Sequence, residues 1–312
     1  MRRSFLFLLV IPQLLLAQIT RQEVSYVPQD GDTLTGEWMK VENPRLMVLI
    51  IPGSGPTTRD GNSRDGSLKN DALKKLAQGL AKQGISSFRI DKRGAGTKRS
   101  NRADSTISVD LFVEDVLGWM VTLEAMEGAP FEAFIGHSQG SLIAMLSAEK
   151  AKIPKVVSIA GAGEPITEVL KYQMGMQIKG EAMEVVREKL DSIRLGYSVN
   201  NNIYILRGLF HPEAQRFLRT WAKYDPCDAI ERFKGKVLIV QGGRDLQVTE
   251  DQGERLRDCD PDASYLFLPE MNHVLTNAPE SISGNLKTYG QPELPLTPGL
   301  VEGITGFLFL PH

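Results

Sequence analysis

Six short apolar runs, each stopping at a turn residue, constrain this 312-residue chain more than any other feature. Leu46–Ile51 runs into Pro52-Gly53-Ser54-Gly55, and Ile85–Ile90 into Asp91-Lys92-Arg93-Gly94. Phe131–Ile135 runs into Gly136-His137-Ser138-Gln139-Gly140, and Val156–Ala160 into Gly161. Lys236–Val240 runs into Gln241-Gly242-Gly243-Arg244-Asp245, and Tyr265–Leu268 leads toward His273. Runs that are mostly apolar without alternating at every second position suit strands covered on both faces. Helical stripes lie between them. Asn70–Gln83 carries Leu73, Leu76, Ala77 and Leu80, Val109–Glu124 carries Leu111, Val116, Trp119, Met120 and Leu123, and Ser141–Ala151 is small and apolar. This alternation predicts an α/β fold with a doubly wound, mostly parallel sheet. Near the start, Val24–Val27 and Leu34–Met39 alternate like an antiparallel hairpin on the sheet edge.

The rhythm breaks between about 163 and 225. No strand run occurs there, but Pro165–Gln177, Glu181–Ile193 and Pro212–Lys223 read as helices. We therefore expect a core of residues 18–162 and 226–312, with 163–225 inserted as a helical cap. Ser281–Pro298 is rich in Pro and Gly and reads as an irregular loop, and Gly299–Phe309 as a closing helix.

Arg2 and Arg3 precede an apolar stretch, Phe5–Leu16, and Ala17 supplies a small residue for cleavage. Residues 1–17 thus read as a signal peptide, with Gln18 beginning an exported, periplasmic or secreted chain. The stretch is shorter than the ~20 residues of a comfortable span, so no stable membrane span is expected in the mature protein. A net charge of −2 gives no basic excess for nucleic acid. The cysteines are Cys227 and Cys259. Export permits a disulfide between them, and two unpaired thiols remain the alternative.

Gly136-His137-Ser138-Gln139-Gly140 fits the G-x-S-x-G turn that lifts a serine hydroxyl clear of its backbone. Its position between a strand and a helix strengthens that reading. Such a serine needs a base. Of four histidines, His137 adjoins the serine and would point away from its hydroxyl, His211 lies in the inserted helices, and His312 ends the chain. His273, after the last strand run, is the expected base. Asp245, at the end of the preceding run, is the expected acid that orients it, and Asp225, before that run, is the rival. Backbone N–H groups of Gln139 and Ser54 are the expected oxyanion donors, with Gly53 N–H the alternative to Ser54. No His/Asp/Glu cluster suggests a metal, and Gly94-Ala95-Gly96 is too short for a dinucleotide loop, so no cofactor is expected.

These motifs resemble the α/β-hydrolase superfamily. The resemblance is to the bacterial esterase branch carrying Pro-Gly-Ser-Gly-Pro followed by Arg-Asp-Gly-Asn, related to serine aminopeptidase-like and acyl-CoA thioesterase-like hydrolases. Here those residues are Pro52–Pro56 and Arg59-Asp60-Gly61-Asn62, joined by Asp91–Gly96, Gly136–Gly140, Gly242–Asp245 and Asn272-His273. It spans about residues 24 to 310. Ser141 stands where a second glycine is frequent and should tighten the helix against its neighbours. The resemblance implies a carboxylesterase acting through an acyl-enzyme on Ser138, and the Met-rich helical insertion, with Met174, Met176 and Met183, suits an apolar pocket for small to medium acyl esters. A peptidase or amidase, a thioesterase, and a non-catalytic binding protein on the same scaffold are the alternatives. Arg59, Asn62, Tyr172 and Met174 are candidate substrate-pocket residues. Arg59 and Asn62 also fit a loop scaffold, and Asp91 and Arg93 are expected to pair structurally.

Overall fold

The computed structural model describes residues 19–95, 107–200 and 206–311. The expected signal peptide, 1–17, and His312 lie outside them.

Eight strands form one sheet: β1 (Ile19–Tyr26), β2 (Leu34–Val41), β3 (Leu46–Ile51), β4 (Ile85–Ile90), β5 (Ala133–His137), β6 (Lys155–Ile159), β7 (Lys236–Gly242) and β8 (Ser264–Leu268). Their spatial order is β1-β2-β4-β3-β5-β6-β7-β8. β1 pairs antiparallel with β2, and β2 with β4, while every pairing from β4 to β8 is parallel. The six apolar runs are the six parallel strands, and the early alternating segments are the edge hairpin.

Burial on both faces explains the unbroken runs. Along β3, Leu49 and Ile51 enter one apolar cluster while Val48 and Ile50 enter the other. β7 repeats this, with Val237 and Ile239 on one side and Leu238 and Val240 on the other. The period of two is therefore present, but both phases meet a helix layer. Helices α2 (Val109–Glu127), α3 (Gln139–Ala151), α7 (Pro226–Arg232) and α8 (Glu250–Cys259) cover the first face. Helices α1 (Ala72–Lys82) and α10 (Leu300–Leu308) cover the second. α2 starts cleanly because the Ser108 side chain accepts from Leu111 N, and it stops at Gly128, which adopts φ 69°.

Between β6 and β7 lie α4 (Ile166–Gln177), α5 (Glu181–Arg194) and α6 (Pro212–Trp221), at the place the broken rhythm indicates. They share an apolar cluster of their own, including Val186, Leu190, Phe210 and Leu218. Two segments correct the sequence reading. Ser281–Pro298 is not wholly irregular: it holds α9 (Ile282–Lys287) and a 3₁₀ turn at Thr288–Gly290. α8 leaves little sequence signal, because only Gln252, Gly253 and Leu256 of its ten residues are buried.

The thiols are joined: Cys227 of α7 and Cys259 of α8 form a disulfide across a sequence separation of 32. Closing a loop of that length restricts the unfolded chain and contributes about 3 kcal/mol. Replacing both cysteines with serine should lower the stability by that order, read as a shift in the urea midpoint. A change under about 0.5 kcal/mol, the size of an ordinary surface substitution, would remove the disulfide from the stability account.

Candidate active site

Strand order fixes where a site can form. β3 has β4 on one side and β5 on the other, so the chain leaves its neighbours in opposite directions. In open parallel sheets, the crevice at such a switch, beyond the carboxyl ends of the strands, is where ligands bind. The segments emerging there are Pro52-Gly53-Ser54 from β3, Asp91-Lys92 from β4 and Ser138 from β5.

Ser138 sits at φ 54°, ψ −123°, a conformation that is sterically costly for any residue with a side chain. Its surroundings hold it there. Ser138 N donates to Ile159 O of β6 at 2.9 Å, and Ser141 N donates back to Ser138 O at 2.9 Å. The flanking glycines are needed for contact rather than flexibility. A Cβ on Gly136 would lie 2.1 Å from Gly140 O, and one on Gly140 would lie 2.3 Å from Ile51 O. α3 thus begins pressed against the end of β3, and its first N–H groups face the crevice. Ser141 tightens this helix in an identifiable way: its hydroxyl hydrogen-bonds that of Ser158 on β6 at 2.6 Å.

His273 and Asp245 come together as their strand-end positions imply. His273 Nδ1 lies 2.7 Å from Asp245 Oδ2, and both side chains are buried. The other carboxylate oxygen accepts from Gln247 N at 2.8 Å and Val248 N at 2.9 Å. With the carboxylate anchored on one side, the imidazole is fixed with its Nδ1 toward Asp245 and its Nε2 away from it. The rival, Asp225, instead caps α7 by accepting from Cys227 N at 3.0 Å. His211 caps α6 and is exposed. His137 does not compete as base: its Nε2–H donates to the carbonyl of His273 at 2.8 Å. Burial, and then the neighbouring His273, push its pKa down to about 3, so it is neutral.

The turn bearing His273 has a support that the sequence reading missed. Asn272 is fully buried, and its Nδ2 donates to Asn285 Oδ1 at 3.0 Å and to Thr288 Oγ1 at 2.7 Å. Asn285 in turn donates to Arg244 O at 2.7 Å. The segment read as a plain loop is therefore the buttress that ties the His273 turn to the Asp245 turn.

Ser138 opens onto a cavity of about 360 Å³, which Ser54 and Gln139 also line. Its far walls are apolar, with Leu142, Ile166, Phe217 and Trp221 among them, and Glu164 and Gln173 are polar points. Most of these belong to α4 and α6, where Ile166/Val169/Leu170 and Phe217/Trp221 recur at helical spacing. That periodicity was the signal for pocket residues.

The four candidate pocket residues do not line this cavity. Arg59 is buried against Asp91, donating through Nε at 2.7 Å and through its backbone N–H to the other carboxylate oxygen at 2.8 Å. Asn62 Oδ1 accepts from Asn70 N and Asp71 N, both at 2.9 Å, which makes it a loop scaffold. Tyr172 is half exposed on the outer side of α4, and Met174 packs into the cluster of the inserted helices. Arg93 pairs structurally, with Asp32 at 2.7 Å, Asp30 at 3.0 Å and Asp115 at 2.5 Å.

Comparison with known proteins agrees with this geometry. Residues 70–205 match a family model described as serine aminopeptidase S33. The chain is 28% identical over 249 residues to an esterase, EstD, of Thermotoga maritima, which covers 76% of this chain. It spans about half, 56%, of that relative's length. The ferulic acid complex of Est1E from Butyrivibrio proteoclasticus superposes with a TM-score of 0.57 at 16% identity, covering 91% of this chain and 95% of that one. The Pyrococcus furiosus esterase Pf2001 superposes with a TM-score of 0.55 at 15% identity, covering 93% and 92%. Strand order and structural likeness agree: the chain has the α/β-hydrolase fold.

Proposed function

We propose that the protein is a serine carboxylesterase that cleaves small to medium acyl esters through an acyl-enzyme on Ser138. The observation that carries this reading is the anchored Asp245–His273 pair, set at the same end of the sheet as a strained serine that opens into an apolar cavity. In this mechanism His273 removes the Ser138 proton as the oxygen attacks the ester carbonyl. Asp245 stabilises the imidazolium so formed. The negative oxygen of the tetrahedral intermediate accepts from Ser54 N–H and Gln139 N–H. His273 then protonates the departing alcohol, and water, activated by the same histidine, releases the acid. A cavity of about 360 Å³ lies at the lower end of the range of ligand pockets, which supports short and medium acyl groups over long chains. The esterase names of EstD, Est1E and Pf2001 support the same bond type.

A second reading has a specific observation behind it. The matched family model is described as a serine aminopeptidase, and Glu164 places a carboxylate in the cavity. Aminoacyl p-nitroanilides separate the two readings from p-nitrophenyl esters. Ester turnover with little or no anilide cleavage supports the esterase, and anilide cleavage alone would replace it with the peptidase. Ser138→Ala should abolish ester turnover and fluorophosphonate labelling while the thermal transition persists. Asp245→Asn should lower kcat by roughly 10⁴-fold through the wrong imidazole tautomer. Retention of most activity in Ser138→Ala would refute the nucleophile assignment.

Export is the second part of the proposal. Arg2 and Arg3 before an apolar run support it, and so does a disulfide, which persists in oxidising compartments. The N-terminus of protein recovered outside the cytoplasm should be Gln18. An intact Met1 on a cytoplasmic protein would remove this part.

His137 gives a pH dependence. An unfolded histidine titrates near 6.5, whereas the folded one stays neutral to about 3. Between those values the unfolded chain binds the extra proton. The stability contribution is therefore complete above about 6.5 and is lost as the pH falls, by about 2 kcal/mol at pH 5. His137→Gln should flatten the decline in stability between pH 7 and 5, read from urea midpoints. Parallel declines in the two proteins would contradict this account.

A further inference from the structure

Lys92, in the Asp91–Gly96 motif at the crevice, has no part in the mechanism above. It follows β4, it is buried, and its aliphatic stem and amine are enclosed by protein. Its Nζ donates to Gly53 O at 2.8 Å and to Gln139 Oε1 in a very short contact. The ring of Phe112 lies beneath it, with Nζ 4.6 Å from the centroid. Burial lowers its pKa to about 7, the mark of an amine held away from water. Among the described residues no carboxylate pairs with this buried lysine, and its two acceptors compensate for its burial.

The choice of acceptors is informative. Gly53 O and Ser54 N–H belong to one peptide unit. The structure has no cis peptide among its described residues, so the carbonyl and the N–H of that unit point in opposite directions. When Lys92 holds the carbonyl on the protein side, the N–H is turned toward the cavity that Ser54, Gln139 and Ser138 line. A hydrogen bond to the carbonyl oxygen also polarises the amide and strengthens its N–H as a donor. The second acceptor belongs to Gln139, whose backbone N–H is the other donor. A single amine thus fixes both halves of the donor pair relative to each other, from behind. The grip does not depend on charge, because a neutral amine keeps two N–H groups for the same two oxygens.

Resting on the esterase reading above, we infer that Lys92 is a positioning residue for the oxyanion hole, orienting the Gly53–Ser54 peptide and tethering Gln139 so that their N–H groups converge on one point. It does not line the cavity onto which Ser138 opens. Its effect is on stabilisation of the tetrahedral intermediate rather than on ground-state binding.

The test is kinetic, with p-nitrophenyl butyrate as substrate and an alkyl trifluoromethyl ketone as inhibitor. The free ketone, formed from its hydrate by loss of water, adds the Ser138 hydroxyl across its carbonyl, and the resulting hemiketal oxygen occupies the oxyanion position. Lys92→Met keeps the stem and removes both hydrogen bonds. Loss of one full donor costs about 10²–10³ in kcat, so loss of its support should cost roughly 10- to 100-fold in kcat with KM changed by less than about threefold. The ketone should weaken by the same factor as kcat/KM. Lys92→Gln, which reaches one of the two acceptors, should lose less in the same parameter. It also serves if Lys92→Met fails to fold. Unchanged kcat in a folded variant overturns the inference. So does a fall in activity with unchanged ketone affinity, which is the result expected of a merely structural lysine. Wild-type protein that neither reacts with fluorophosphonate nor turns over the ester would fail the esterase reading itself, and the inference with it. Active wild type with an indifferent Lys92→Met sinks the inference alone.

Discussion

The site is organised by the close approach of the first turn of α3 to the end of β3. Gly136 and Gly140 permit it, since a methyl group at either would meet backbone at little over 2 Å. Close-packed protein interiors cannot absorb such an overlap without moving an element. The approach forces Ser138 into its left-handed conformation and points the helix N-terminus at the crevice. It also sets Gly53 beside the serine, its α-carbon so close that an added Cβ would lie 3.2 Å from Ser138 Cβ. Ser138 and the Pro52-Gly53-Ser54 loop are thereby placed by backbone packing, before any side chain interaction is counted.

Around that contact much of the site is built from buried polar pairs, each closed by a defined partner, though the Gln139 Nε2 has none among the described residues. Asp245 is satisfied on both carboxylate oxygens, Asn272 on its amide nitrogen and its carbonyl oxygen, and His137 through the carbonyl of His273. Arg59 with Asp91 and Arg93 with Asp115 do the same behind the loops after β3 and β4. Buried polar groups with all partners present define one arrangement sharply. Few of these pairs could be traded singly, since removing one partner leaves the other buried and unsatisfied.

Much of this was legible in the sequence, for identifiable reasons. The parallel strands show as runs without alternation, and Ser138, Asp245 and His273 show because each lies just beyond such a run. The edge hairpin shows as alternation. What was illegible depends on distances between segments far apart in sequence. Arg59 and Asn62 sit in a motif close to the oxyanion turn, yet they bond inward to Asp91 and to the backbone at Asn70 and Asp71. Lys92 reads as one more charge in Asp91-Lys92-Arg93, and only the fold brings it to Gly53 and Gln139. α8 escaped notice because its exposed face is charged and its buried face small.

That inconspicuous helix also holds both ends of the insertion between β6 and β7. Where the chain leaves the sheet, Gln252 Oε1 accepts from Gly163 N and Glu164 N, both at 3.1 Å, and Arg255 Nε donates to Gly163 O at 2.9 Å. Where the chain returns, Cys259 is bonded to Cys227. Departure and return are thus moored to one scaffold element outside the inserted helices, immediately after the turn that carries Asp245. The cavity walls supplied by α4 and α6 and the Asp245–His273 pair are in this sense separable parts. Helices of another length or lining could be carried between the same two moorings without disturbing the Asp245–His273 pair.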